Sequence, residues 1–398
     1  MPSTPGTGQA RLQTGRMTSS SSLLSDRKKS LIAVIASMVI VNLVYGLTLP
    51  LLSLVLDSQG ISKTIIGVNI MAQACAGLVI APVVPGFIAR YGAGRVMQVA
   101  TVLAAITLMA LGLFPNIVLW FPLRFLLGAS AAMLWSASET LINELAAEQW
   151  RGRIIGVYGA AGAAGFAVGP LLLVITGSEG LLPFITTTAF ILAAGLPLLW
   201  IRRDGRDGDA GEHPRLLSIF RLVPHIMILN LVYAAAVEAV LAFMPLYGIH
   251  VGIGEARSLV LLTMLGIGGV VWHVPLGWLA DIVNRERLLL VFLLLSALGF
   301  VILPHVVASP LFSSAFVFVL GGIEGMIYSM GVVLLGMRFR GVELASASVL
   351  FTGMWGAGTM IGPALVGAGM DWLGAESFPY LVAAIFLAYL PVYFLVRR

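Results

Sequence analysis

Apolar stretches about twenty residues long recur along this chain, separated by short polar connections. Twelve can be placed, near 30–56, 62–89, 95–114, 117–144, 152–176, 180–201, 222–249, 256–281, 287–307, 310–336, 342–369 and 376–396. About twenty apolar residues in a helix cross the roughly 30 Å hydrocarbon layer of a bilayer. Lipid offers no partners to backbone N–H and C=O groups, so such spans close their hydrogen bonds internally, as helices. The pattern predicts an all-α membrane protein of twelve transmembrane helices.

Two polar stretches break the rhythm. Residues 1–29 are rich in Gly, Ser and Thr, carry no apolar signal-like core and end in Arg27-Lys28-Lys29. They read as a disordered cytoplasmic tail. Residues 202–221, with Gly and alternating charges up to Pro214, read as a flexible cytoplasmic linker. Six spans precede it and six follow, giving bundles of 30–201 and 222–398.

The two halves repeat one another. Gly128-Ala-Ser-Ala-Ala-Met133-Leu-Trp135-Ser136 returns as Gly321-Gly-Ile-Glu-Gly-Met326-Ile-Tyr328-Ser329, and Gly165-Phe-Ala-Val-Gly169-Pro170 returns as Gly358-Thr-Met-Ile-Gly362-Pro363. The offset is 193 residues in both cases. Parallel repeats of six helices with a site between them are a transporter architecture.

Composition changes the picture in one respect, the solvent. Hydrophobic residues make up 59% of the chain and charged residues 10%, against about 25% charged in soluble domains. The net charge of +5 suggests a nucleic-acid partner until its distribution is read. With the N-terminus inside, every Lys and Arg except Lys63, Arg124 and Arg257 falls on the cytoplasmic side. That is the positive-inside pattern of a multi-pass protein with both termini cytoplasmic. Trp120, Trp150, Trp200, Trp278 and Trp372 fall at span ends as interfacial anchors, whereas Trp135, Trp272 and Trp355 are cavity-lining or packing candidates. The single Cys75 excludes an internal disulfide and a cysteine-based metal cluster.

On these motifs the chain resembles the major facilitator superfamily over nearly its whole length. Arg124-Phe-Leu-Leu-Gly128, Met133-Leu-Trp135, Glu139, Arg151-Gly-Arg153 and Tyr158 resemble the YcaD-like bacterial permeases. The resemblance implies two pseudo-symmetric six-helix bundles, a bacterial cytoplasmic (inner) membrane location and a loop signature between helices two and three. Gly277-Trp-Leu-Ala-Asp281-Ile-Val-Asn-Arg285-Glu-Arg287 keeps that signature. The first half departs from it: Arg90-Tyr-Gly92-Ala-Gly-Arg95 follows Ala89, which stands where the acid belongs. An Asp at a helix end gains from another helix's N-terminal dipole. Asp281 is therefore expected to lock the cytoplasmic side and the first half to lack its lock. The other reading makes Arg90 and Arg95 inside anchors only. Gly165-x-x-x-Gly169-Pro170 resembles part of an antiporter motif, but its repetition in the second half favours helix packing.

Ionisable side chains at membrane depth are costly and mark function or pairing. They are Arg124 and Glu139 in span four, Glu238 in span seven, His273 in span eight and Glu324 in span ten. In the superfamily, spans one, four, seven and ten line the central cavity. Helical spacing places Arg124, Trp135 and Glu139 on one face, Glu324 and Tyr328 on another, and Asn42 with Tyr45 on the first span. Arg124, Glu139, Glu238 and Glu324 are thus candidates for coupling or substrate binding. Asn42, Tyr45, Trp135, Met326, Tyr328 and Trp355 are candidates for the lining. Glu139, near Arg151 and Arg153, also suits a structural role, and His273 a packing role. Met326-x-x-x-Met330 has a spacing used by related copper importers, on a different helix, and His273 lacks its Met partner.

The function implied is secondary active transport of a small organic solute, coupled to protons and without cofactor. Export is the first direction and nutrient or metabolite import the second; copper import and uncoupled facilitation remain further alternatives. No Walker sequence points to ATP. Neither a His-Glu-x-x-His run nor a Ser/His or paired-Asp constellation supports an intramembrane enzyme. Partners are the solute, protons and the bilayer, with a monomer expected.

Overall fold

The computed structural model describes residues 8–146, 148–199 and 216–396. The chain folds as α1 (Gly8–Ser58), α2 (Lys63–Ile80), α3 (Val84–Tyr91), α4 (Ala93–Leu113), α5 (Ile117–Leu145), α6 (Arg151–Thr176) and α7 (Leu182–Leu198). It continues as α8 (Leu216–Leu222), α9 (Pro224–His250), α10 (Glu255–Val271), α11 (His273–Ile282), α12 (Arg285–Val306), α13 (Pro310–Arg338), α14 (Gly341–Leu373), α15 (Phe378–Leu387) and α16 (Tyr389–Val396). Among the described residues, ten helices are long and apolar enough to cross a bilayer, and the bent pair α10–α11 makes an eleventh. The apolar α7, at 17 residues, sits at the lower limit for a crossing and supplies the twelfth segment.

The expected boundaries shift at five places. The second and eighth spans each break. α2 and α3 part at Ala81–Val83, beside Pro82 and Pro85, and α10 and α11 bend by 45° at Trp272, just before Pro275. Proline lacks the N–H that would continue the ladder, so both breaks have the same cause. The twelfth span divides likewise at Ala388, ahead of Pro391. At the N-terminus α1 is helical from Gly8, where the composition suggests an unstructured tail. Once a long helix exists, adding residues to it is cheap, and 9–29 contain no proline. The end of the expected linker also folds: α8 docks Ile219 onto Leu335, Phe339 and Phe351. The remainder of that linker, 202–215, lies outside the described residues.

Both halves are built alike. α1 packs on α6 and α7, α2 on α5, and α4 on α5 and α7. In the second half α9 packs on α14 and α15, α10 on α13, and α12 on α13 and α15. Glycines make these contacts close. A side chain at Gly165 or Gly169 would strike the Val39 and Leu43 carbonyls of α1, and one at Gly358 or Gly362 would strike the Leu231 and Ala235 carbonyls of α9. Gly128 against Gln73 and Gly321 against Leu265 repeat the device between α5 and α2, and between α13 and α10. Lipid is as apolar as leucine, so burial alone does not bring such helices together; close backbone packing does. The packing role expected for these glycines is the one observed.

The halves meet along α2 with α14 and α6 with α10. At the end away from the termini, Asp371 of α14 accepts hydrogen bonds from Lys63 N (3.0 Å), Thr64 N (2.7 Å) and Thr64 Oγ1 (2.6 Å) at the start of α2. Beside it, Ser178 Oγ donates to Glu255 Oε2 at 2.8 Å. At the end that carries the termini, an added side chain at Gly77, Gly156, Gly159, Gly277 or Gly353 would meet open space. Hydrogen bonds thus join the halves at the end away from the termini.

Candidate functional site

Arg124, two residues beyond Pro122 in α5, is wholly buried. Its Nε donates to Asn69 Oδ1 and its Nη1 to Gln73 Oε1, both at 2.9 Å. Asn69 and Gln73 stand four residues apart on α2 and so present both carboxamides to one side. Arg124 Nη2 has no partner among the described residues. The guanidinium lies within electrostatic range of Tyr45 and Glu238. The sequence reading missed both carboxamides, because a neutral amide in an apolar span stands out far less than a charge. The one available signal was Asn69 and Gln73 at an i, i+4 spacing.

Tyr45 and Glu238 join the halves. Tyr45 Oη donates to Glu238 Oε1 in a long hydrogen bond of 3.4 Å between the middles of α1 and α9. Glu238 is buried and its Oε2 is unpartnered. The glycine contacts set Val39 equivalent to Leu231 and Leu43 to Ala235, so Tyr45 corresponds to Val237, next to Glu238. The pair therefore lies close to the axis relating the halves. Tyr45 also meets Trp135 edge-on at 5.1 Å and Phe166 at 5.9 Å.

The second half answers with aromatic rings. Tyr328 meets Trp355 at 5.4 Å and 86°, Tyr233 meets Trp355 at 5.7 Å, and Tyr233 meets Tyr328 at 6.1 Å. Glu324, one turn before Tyr328, is buried with Oε1 unpartnered and lies within range of Tyr233. Glu139 is exposed and influences both Tyr158 of α6 and Tyr328 of the other half. No ion pair involves it among the described residues. Arg153 instead stacks over Trp150 at 4.7 Å, and the Arg151 side chain lies outside the described residues. Asn42 is half-buried and donates to Met38 O at 2.8 Å.

Several sequence expectations are relocated. Met326 is buried and lines a recess between α11 and α13 with Met330, His273 and Ser329, away from the aromatic wall. His273 Nε2 and Ser329 Oγ are hydrogen-bonded at 2.9 Å, in keeping with a packing histidine. Trp120 is a core residue, its Nε1 bonded to Phe114 O, and Trp272 fills the space beside Gly322. Trp150, Trp278 and Trp372 are exposed as interfacial anchors should be; Trp200 lies outside the described residues.

The residues expected to gate lie at the end that carries the termini. Asp281 pairs with Arg285 at 2.8 Å, four residues along its own half, and its side chain is 68% exposed. A contact of Asp281 with another helix's N-terminus is not seen among the described residues; its partner is Arg285. Arg285 also bonds Ala280 O and the Met337 sulfur. Arg90 lies over Tyr91, Gly92 turns the chain between α3 and α4 at φ +84°, and Arg95 begins α4. Gly277 faces open space.

Two repeated helical halves around a polar centre define a membrane transporter. The family model described as Major Facilitator Superfamily matches residues 34–314 and 260–398, and the chain belongs to that family. It is similar to the uncharacterized MFS-type transporter YfkF of Bacillus subtilis (strain 168), 24% identical over 344 residues covering 85% of this chain and 88% of the relative. It is also similar to the uncharacterized MFS-type transporter YcaD of Escherichia coli (strain SMS-3-5 / SECEC), 22% identical over 373 residues, 92% and 96% of the two chains. Among solved structures, the nucleoside transporter NupG matches with a TM-score of 0.72 at 13% identity, over 92% of this chain and 99% of that one. A D-xylose-proton symporter matches with 0.68 at 15% identity, over 90% and 96%. These structural likenesses establish the fold.

Proposed function

We propose that this chain is a proton-coupled secondary transporter of a small organic solute in a bacterial cytoplasmic membrane, with export as the leading direction. The halves 30–201 and 222–398 rock about the site, joined by the 202–221 linker. Positive-inside charge puts both termini in the cytoplasm. On that orientation the end that carries the termini faces inward and the Asp371 latch faces outward.

The observation that carries the reading is the Tyr45–Glu238 contact at mid-depth between the halves. A carboxyl group whose partner sits on the other moving body exchanges surroundings as the halves rock, so its proton affinity differs between the two states. Arg124 bears on the same carboxylate, and Glu324 offers a second proton site without a basic neighbour. One proton moving down 100 mV supplies about 2.3 kcal/mol, enough for a solute gradient of roughly fiftyfold.

Untargeted solute profiling of cells with and without the protein, at two external pH values, identifies a cargo without assuming one. Glu238→Gln and Glu324→Gln should then retain exchange but lose pH-driven accumulation or extrusion, Glu324→Gln by the larger margin. Wild-type pH dependence in both variants would remove proton coupling from these residues. A pH-independent flux in the wild type would favour the facilitator reading.

A further inference from the structure

We infer that the central cavity receives an organic cation with an aromatic or apolar body, held on the Tyr233, Tyr328 and Trp355 rings and balanced in charge by Glu324 and Glu139. This rests on the transporter reading and names the cargo class for the same site.

Charge balance at membrane depth is the first argument. Three acids, Glu139, Glu238 and Glu324, stand against one permanent base, Arg124, and one histidine, His273, which is held by Ser329 of α13. Arg124 is enclosed behind Asn69 and Gln73, and its field falls on Glu238. Glu324 has no basic neighbour. From α9 it meets Tyr233, from its own helix Tyr328, and α10, α12 and α14 carry charged side chains only toward their ends. Glu139 sees Tyr158 and Tyr328. An ionised carboxylate with no positive partner is expensive away from water. Buried Glu324 therefore stands ready for a positive charge, carried by a proton or by the cargo, and exposed Glu139 adds a second negative group.

The second argument is what the wall lacks. Sugars and nucleosides are recognised by many hydrogen-bonding groups, and the carboxamides of Asn69, Gln73 and Asn230 are buried away from the cavity surface. Asn42 bonds Met38 O, Asn230 bonds Phe351 O, and Asn69 and Gln73 hold Arg124. An anion would meet exposed Glu139 and find Arg124 fully buried. The remaining surface is aromatic, with Tyr328 39% exposed and Trp355 perpendicular to it. Ring faces attract cations, most strongly where water is excluded. Proton and cation then compete for the same carboxylates, which is a direct route to exchange of one for the other.

The test uses the full-length protein in lipid nanodiscs, with tetraphenylphosphonium as probe and tetraphenylborate as its anion of like shape. Saturable binding is measured by tryptophan fluorescence, and empty discs are subtracted for partitioning. The phosphonium should bind saturably, more tightly at higher pH, and the borate should not. Tyr328→Leu and Trp355→Leu should each weaken phosphonium binding about threefold to thirtyfold, with Tyr328→Phe retaining it. Circular dichroism and size exclusion establish that each variant folds. Borate binding as tight as phosphonium, no saturable binding of either ion, or phosphonium binding indifferent to both Tyr328→Leu and Glu324→Gln would each overturn the inference. The profiling experiment assumes no cation, so alternating-access transport stands or falls separately.

Discussion

Replacing Asp371 with Asn tests the latch most directly. The carboxylate accepts three hydrogen bonds from the start of α2, two of them from backbone N–H groups that have no intrahelical partner. The amide keeps the shape but loses the charge and one acceptor. A hydrogen bond to a charged group is worth about 1.5–3 kcal/mol and the helix dipole adds about 0.3–1 kcal/mol. Asp371 is exposed, so solvent screens much of this; a net loss of about 1–2 kcal/mol is expected. That corresponds to a shift of roughly fivefold to thirtyfold in the ratio of latched to unlatched molecules. Spin labels at Gln59 and Glu376, in a Cys75→Ser background, report the separation of the two halves at this end by pulsed electron–electron resonance. Asp371→Asn should enlarge the long-distance population by that factor. A distribution indistinguishable from wild type would show that the three bonds follow closure rather than maintain it.

Gly362→Val should destabilise the protein by about 1–3 kcal/mol or abolish folding, because the new side chain meets the Ala235 backbone, whereas Gly353→Ala should leave the thermal unfolding midpoint unchanged. Asn69→Leu should cost about 1–3 kcal/mol by removing an acceptor from buried Arg124, and adding Arg124→Leu should recover part of the loss, again read by thermal unfolding. Asp281→Ala should leave stability within about 1 kcal/mol of wild type, since its pair with Arg285 is exposed, yet slow turnover in a transport assay more than any change at Ala89 does. Normal turnover in Asp281→Ala would remove the asymmetric lock. Cysteine labelling at Gly208 should occur only from the cytoplasmic side; labelling from outside intact cells would reverse the orientation.

The amino-acid sequence alone determined the spans, the repeat and the identity of the charged groups at membrane depth. Those properties are local or periodic: a bilayer reads apolar length directly, and a repeat survives as residues at a constant offset. The pairing of Gly165 with α1 and of Gly358 with α9 was legible as a small-residue stripe, although its partner carbonyls were not. Tertiary structure decided the rest. Arg124 found Asn69 and Gln73 on a different helix, Tyr45 found Glu238 across the halves, and Asp371, an unremarked acid near a span end, became a latch between the halves. Trp120, which its position at a span end marked as an interfacial anchor, turned inward. Each of these outcomes depends on how helices rotate and tilt against one another. That is set by packing between distant segments, and a linear pattern carries no record of it. The state of the gate is further removed still. Asp281 has the same neighbours in sequence whether the halves are closed or splayed, and only their arrangement determines whether it meets Arg285 or another helix.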